Sequence, residues 1–332
     1  MSEMIRRTRE IREQQERDLL APAATRSADS KGRRQPEEPD PYRTAFERDR
    51  DRILHTKAFR RLKHKTQVFI NPEGDHYVTR LTHTLQVTQV GRAMASDLGL
   101  NESLTEAICL GHDVGHSPFG HTGEDALSPY VEGEWLHSEQ SVRVLDVLEP
   151  VNLSWEVLDG IRAHSWKIDP PSTPEGMLCR FADRIAYLTH DVDDALRASV
   201  IRHTDLPSQA LAVLGEPDSD WIGTMIRAVV DESVEQGQVV MAPEVLETMQ
   251  VLRDFMFERV YLRPESRPQQ QRAIAVIRHL VDHFIEHPEE VPDSYRVDDA
   301  DDVERAIDYV SGMTDRYALR KHDRLFRPEG ID

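Results

Sequence analysis

From Phe46 to the last helical stretch, apolar residues recur at three- and four-residue intervals, and strand-like alternation is nearly absent. Ile53, Leu54, Ala58, Phe59 and Leu62 keep this spacing between Phe46 and His64, as do Leu81, Leu85, Val90, Met94 and Leu98 between Thr79 and Leu98. Asn101 is placed to cap a helix running from Glu102 to about Asp113. The pattern predicts further helices over 137–148, 154–164, 175–199, 220–236, 243–262, 268–286 and 302–325. Such stripes are buried by packing helix on helix, so the expected fold class is all-α. The expected organisation is a flexible segment over 1–40, a catalytic bundle over 41–200, and a C-terminal helical region over 201–332 that completes one globular unit. Residues 1–20 have helical character, whereas 21–40 are polar, poor in aromatics and read as linker. A turn at 71–75 and a surface connection over 286–302 follow from their composition.

A formal net charge of -19 argues against a surface built to grip a phosphate backbone everywhere. Lys57, Arg60, Arg61, Lys63 and Lys65 nevertheless form a local basic run, which by charge alone reads as a solvated helix face. No apolar run approaches the roughly 18 residues needed to cross a bilayer. The Arg- and Glu-rich N-terminus has no apolar signal region, so a cytoplasmic protein without membrane contact is expected. Cys109 and Cys179 belong to no pair motif and lie in apolar helical runs, which makes them reduced core residues.

The densest chemical signal is His112-Asp113-Val114-Gly115-His116-Ser117-Pro118-Phe119-Gly120-His121-Thr122-Gly123-Glu124. It combines three histidines and two carboxylates at a helix end and in the Gly/Pro-rich stretch 114–123, where no regular element is expected. At a helix end two adjacent side chains can be turned toward one point; mid-helix neighbours diverge by about 100°. His112 and Asp113 supply one imidazole and one carboxylate, and a metal of intermediate softness needs more donors from other helices. His83 is one candidate, although a lone helical histidine is more often structural. Asp183, Tyr187 and Asp191 stand four residues apart along one helix face amid apolar neighbours, where a carboxylate is costly unless paired or bound to a cation. Asp193 and Asp194 read as an exposed acidic stripe. His190-Asp191 is a second His-Asp pair, ranked lower because a mid-helix pair splays apart.

His83, His112-Asp113 and Asp183 match the H…HD…D signature of HD-domain metal-dependent phosphohydrolases. The surrounding blocks resemble the deoxyguanosinetriphosphate triphosphohydrolase family: Arg61 to Phe69, Thr79 to Thr84, His112 to Glu124, Phe181 to Tyr187, Arg253 to Tyr261 and Gly312 to Ala318. The resemblance spans about residues 42–325 and implies an HD-domain helical bundle with a C-terminal helical extension. It implies that His83, His112, Asp113 and Asp183 bind one divalent metal ion, with manganese or magnesium first and iron, nickel, cobalt or zinc as alternatives. It places His116, His121 and Glu124 at the scissile phosphate with His137 nearby, Gln67, Tyr187 and Asp191 at the deoxyribose, and Arg80 and Arg184 on phosphates. The implied reaction converts a deoxynucleoside triphosphate (dNTP) to deoxynucleoside and triphosphate. The expected partners are a dNTP substrate, a second dNTP as effector, weakly bound single-stranded DNA at the basic run, and further copies of the chain in a homo-oligomer. The alternatives are a 5′-deoxynucleotidase or phosphodiesterase on the same metal centre, and a non-catalytic nucleotide- or single-stranded-DNA-binding regulator.

Overall fold

The computed structural model describes residues 4–67, 78–217, 220–297 and 300–326; the turn expected at 71–75 lies outside them. The helices are α1 (Arg9–Leu19), α2 (Ala45–His55), α3 (Lys57–Arg61), α4 (Arg80–Asp97) and α5 (Glu102–Gly111), then α6 (His121–Leu127), α7 (His137–Arg143), α8 (Trp155–Arg162), α9 (Pro174–Arg197) and α10 (Ser208–Leu214). The chain ends with α11 (Asp220–Gln236), α12 (Pro243–Met256), α13 (Arg267–Glu286), α14 (Asp302–Ser311) and α15 (Asp315–Phe326). Among the described residues the only β-type pairings are isolated bridges, Arg33 with Ser154 and Thr66 with Thr79. The fold is therefore all-α, as the spacing predicts.

Local chemistry sets where helices start and stop. Thr44 and Glu47 form a reciprocal capping box on α2. Thr56 breaks the expected helix over 46–64, because its hydroxyl accepts from Phe59 N at 3.1 Å and starts α3. Asn101 caps α5 through Ser103 N and Leu104 N. α7 and α12 continue as π-helical turns over 144–148 and 257–261, which carry them to their expected ends. α10 falls where no helix is expected, and the helix predicted over 302–325 is interrupted between Ser311 and Asp315. α6 begins inside the Gly/Pro stretch, its first turn closed by Gly120 O accepting from Gly123 N and Glu124 N.

Two hydrophobic cores result. The larger unites α2, α4, α5, α8 and α9 with α10–α12, around Phe46, Met94, Ile108, Ile185, Trp221 and Met249. At Gly160 a Cβ would overlap Ile108, so α8 lies on α5 closer than any other residue allows. The smaller core joins Phe119, α6 and Trp135 to α13–α15. The stretch from His112 to Glu124 starts in the first core with Val114 and ends in the second with Phe119, so it crosses the seam between them.

The flexible linker expected over 21–40 is not observed. Glu175 accepts from Thr25 N, Thr25 Oγ1 and Asn101 N, and Glu156 accepts from Ser30 Oγ and Lys31 N. Arg33 pairs with the fully buried Asp49, which also accepts from Ser154 N at 3.0 Å. The segment is held by hydrogen bonds to carboxylates rather than by apolar burial, which is why its composition suggested disorder. The described residues of the 286–302 connection lie mostly at the surface as expected, anchored by buried Val291 and by Tyr295 OH, which accepts from Arg61 Nη1 at 3.1 Å. Asp49 would otherwise remain a buried charge short of its cation. Arg33→Ala is therefore expected to cost about 3 kcal/mol, read as a lowered urea midpoint. An unchanged midpoint would mean that Ser154 alone satisfies Asp49.

Candidate metal centre and active site

Three helices bring four donors together. His83 projects from the first turn of α4, His112 and Asp113 follow the last turn of α5, and Asp183 lies within α9. His112 Nδ1 donates to Cys109 O at 2.6 Å. A carbonyl only accepts, so the hydrogen sits on Nδ1 and Nε2 is a bare lone pair, which is buried without a partner. His83 Nε2 is 3.0 Å from Asp183 Oδ1, and His112 Nε2 is 3.9 Å from the same oxygen and 3.7 Å from Asp113 Oδ1. Two imidazoles and two carboxylates converging around an unsatisfied nitrogen fit a divalent cation of intermediate softness.

Asp113 is held by Arg80, whose Nη1 donates to its Oδ2 at 2.7 Å with both side chains no more than 4% exposed. Burial alone would raise the Asp113 carboxyl; Arg80, His112, His116 and His137 outweigh it and hold it well below the usual range. Asp183 is lowered in the same manner, burial being outweighed by the hydrogen bond from His83 and by His112. Burial lowers His112 below the ordinary imidazole range. The donors are thus in the states a metal ion requires, ionised carboxylates and a neutral imidazole.

The loop behind these donors is pinned from both cores. A Cβ at Gly115 would overlap the Ser141 backbone nitrogen, and Gly115 N donates to Ser141 Oγ, which donates to His112 O. Lys65 Nζ, fully buried, donates to His116 O and to Ser311 O. Phe119 has φ 63°, a strained value for an aromatic residue, and its N–H is held by Asp315 Oδ1 at 3.0 Å. Asp315 Oδ2 accepts from Thr66 N and Thr66 Oγ1. One carboxylate at the start of α15 therefore ties the loop to the segment carrying Gln67.

Six imidazoles run in file from the donors outward. Ring centroids are 5.6 Å apart for His83–His112, 5.0 Å for His112–His164 and for His164–His137, 4.4 Å for His137–His116 and 5.4 Å for His116–His121. Glu124 joins two of them, its Oε2 2.6 Å from His121 Nδ1 and its Oε1 2.7 Å from His137 Nδ1. Burial would raise Glu124, but His137 and His121 hold it well below the carboxylate range; burial would lower His137, but Glu124 raises it. His121 alone in the file is open to solvent, its side chain 74% exposed. His116 has both ring nitrogens buried and unpartnered, and burial with Arg80 and His137 keeps it neutral.

On α9, Asp191 accepts from Tyr261 OH at 2.5 Å, and burial pushes its carboxyl up to about 7. Burial also pushes the Tyr187 hydroxyl up to about 12. Arg184 stacks 4.0 Å above Trp166. Gln67 keeps a buried Oε1 without a partner, and its backbone carbonyl lies against Gly120. The rival His190-Asp191 pair is spent elsewhere, because His190 Nδ1 donates to Ala186 O while Asp191 faces Tyr261. Asp194 is not part of an exposed stripe: it is buried and accepts from Val78 N at 3.4 Å. Three residues at the site escaped the sequence reading. His164 stands at the end of the helix predicted over 154–164, as His112 stands near the end of the one predicted to about Asp113, and that shared position was the usable signal. Tyr261 and Asp315 fall inside the Arg253–Tyr261 and Gly312–Ala318 blocks, but the partners that give them a place at the site lie 70 and 196 residues away.

The chain is 48% identical over 328 residues to a deoxyguanosinetriphosphate triphosphohydrolase-like protein of Caldanaerobacter subterraneus subsp. tengcongensis, covering 97% of this chain and 96% of the relative. The chain belongs to the deoxyguanosinetriphosphate triphosphohydrolase-like family. Members from Desulfatibacillum aliphaticivorans and Clostridium perfringens are 44% and 42% identical, covering 96% and 97% of this chain and 98% of each relative. The HD domain family matches residues 80–188, and the phosphohydrolase-associated domain family matches residues 239–324. In this family member the first match holds all four donors, and the second holds Tyr261, Ser311 and Asp315. A solved phosphohydrolase from Bacteroides thetaiotaomicron VPI-5482 shares the fold at TM-score 0.50 and 17% identity, over 84% of this chain and 68% of that one.

Asp191 makes the family member's stability pH-dependent. Its carboxyl titrates near 7 in the folded chain and near 3.8 ordinarily, so between these values the native state binds more protons and stability falls as pH rises. Asp191→Asn is expected to flatten that fall, so that urea midpoints measured at about pH 5 and about pH 8 converge. An undiminished pH slope would show that Asp191 does not carry the effect.

Proposed function

We propose that this protein hydrolyses deoxynucleoside triphosphates to deoxynucleoside and triphosphate in a metal-dependent reaction. The observation that carries the reading is the imidazole file: it leads from a buried His/Asp donor set, past the doubly engaged Glu124, to a histidine open to solvent. The printed names of the relatives supply the substrate class. His83, His112, Asp113 and Asp183 would hold the cation, which when bound supplies Lewis-acid polarisation at a phosphate oxygen.

This chain's own residues do the rest. Arg80, already turned toward Gly120 and Asp113, and Arg184 meet the phosphate oxygens and offset the charge that gathers there. His116 offers its unpartnered nitrogens to the same group. Gln67, Tyr187 and Asp191 take the deoxyribose, with Tyr261 fixing Asp191 in place. Attack of water at the α-phosphorus, in line with the 5′-oxygen, breaks the bond between them. His121 transfers a proton to the departing 5′-oxygen, and Glu124 fixes its tautomer through Nδ1. His137, shared by the same Glu124, keeps that carboxylate ionised.

The test is incubation of metal-reconstituted protein with each of the four dNTPs and with GTP, the products separated by anion exchange. Deoxynucleoside with triphosphate is expected. Orthophosphate, or pyrophosphate with the monophosphate, would assign another phosphohydrolase reaction, and no turnover with any metal would leave a binding protein. His121→Ala is expected to lower turnover by about 10²- to 10⁴-fold while metal content stays constant. Full turnover in that variant would remove His121 from the chemistry.

A further inference from the structure

Gln67 Oε1 is a buried acceptor without a partner, a costly state that persists only where the surrounding structure imposes it. The residue before it shows how it is imposed. Thr66 N donates to Asp315 Oδ2 at 3.0 Å and Thr66 Oγ1 donates to the same oxygen, so backbone and side chain are both fixed from α15. Thr66 also pairs with Thr79, and Lys65 O accepts from Arg80 N at 3.3 Å, which lays this segment along the start of α4. Arg61 Nη1 donates to Gly312 O at 3.2 Å and Lys65 Nζ to Ser311 O at 3.1 Å. Two cations of the basic run 57–65 are therefore spent on the junction of α14 and α15 that presents Asp315.

The second oxygen of Asp315 reaches a different part of the site. Oδ1 accepts from Phe119 N at 3.0 Å, two residues before His121. Phe119 and Gly120 both have φ 63°, and a Cβ at Gly120 would stand 3.2 Å from Arg80 Nη2 and 3.4 Å from Gln67 O. The loop thus runs against the Gln67 segment, and one carboxylate holds both. A sugar carries its 3′-hydroxyl and its 5′-oxygen a fixed distance apart, so the groups that meet them must keep a matching separation. Under the reading given in Proposed function, on which this inference rests, those groups are Gln67 and His121.

We propose that Asp315 is a positioning residue for sugar recognition. By clasping Thr66 with one oxygen and Phe119 with the other, it sets the spacing between Gln67, which accepts from the 3′-hydroxyl, and His121, which serves the 5′-oxygen. It acts through these two segments and outside the metal donor set. A site built to hydrogen-bond a substrate hydroxyl rejects the analogue that lacks it, so a loosened clasp shows itself as a weakened rejection.

The test compares the dNTP turned over fastest with its 2′,3′-dideoxy analogue, using the metal-loaded full chain and its Asp315→Asn variant. Whichever way its amide turns, the variant presents one oxygen and can hold one of the two segments, not both. The preference for the dNTP in kcat/KM is expected to narrow by about 10-fold, the dNTP losing more than the analogue, with bound metal per chain unchanged. Thr66→Val removes the hydroxyl bond and keeps both backbone donors. It is expected to narrow the preference by a smaller factor, and it decides the matter where Asp315→Asn does not fold. A merely structural role would lower both substrates equally, so an unmoved preference in the folded variants would overturn the clasp and leave the reaction standing. Absence of dNTP hydrolysis in the unsubstituted chain would overturn the reaction and the sugar assignment together.

Discussion

The buried pair of Asp113 and Arg80 is the contact around which the site is arranged. Moving either charge out of water costs several kcal/mol, and that cost is offset only by close contact and further hydrogen-bond partners. Arg80 provides the contact at 2.7 Å and leaves the second carboxylate oxygen facing imidazole nitrogens. Without that guanidinium, Asp113 would lose the largest of the influences that hold it ionised in its dry surroundings. Because the pair lies between α4 and the end of α5, it also fixes the angle at which His83 and His112 approach each other.

The remaining polar machinery is assembled around a seam. Loop 112–124 belongs to neither core alone, and its backbone is fixed by side chains arriving from both: Ser141 at Gly115, Lys65 at His116 O, and Asp315 at Phe119. Each contact satisfies a polar group that would otherwise be orphaned where two apolar surfaces meet. The N-terminal segment follows the same economy, held to the bundle by Glu156, Glu175 and Asp49.

The helices were legible because an apolar stripe records what a helix must bury, and the donors on α4, α5 and α9 were legible because a carboxylate amid apolar residues needs a cause. Boundaries set by one hydroxyl, as at Thr56, were not, since a threonine on a helix reads the same whether or not it caps. The order of 21–40 was hidden because hydrogen bonds to remote carboxylates leave no periodicity. His164 was hidden for a different reason: a lone histidine past a helix end is ordinary until His137 is found 3.0 Å away. Tyr261 and Asp315 gain meaning only from partners 70 and 196 residues distant.

Asp315 carries a consequence for the order in which the chain matures. All four donors of the His/Asp set are in place in sequence by residue 183, yet the contacts that shape the loop behind them close spans of 249 residues from Thr66 to Asp315 and 246 from Lys65 to Ser311. Closures over such distances come late, since the chain entropy they cost is recovered only after the intervening helices have packed. A chain emerging from the ribosome can therefore collect its donors early and hold them beside an unclasped loop. Phe119 is held in its strained backbone only once Asp315 of α15 has reached it, so the loop behind the donors is among the last parts of the site to be fixed.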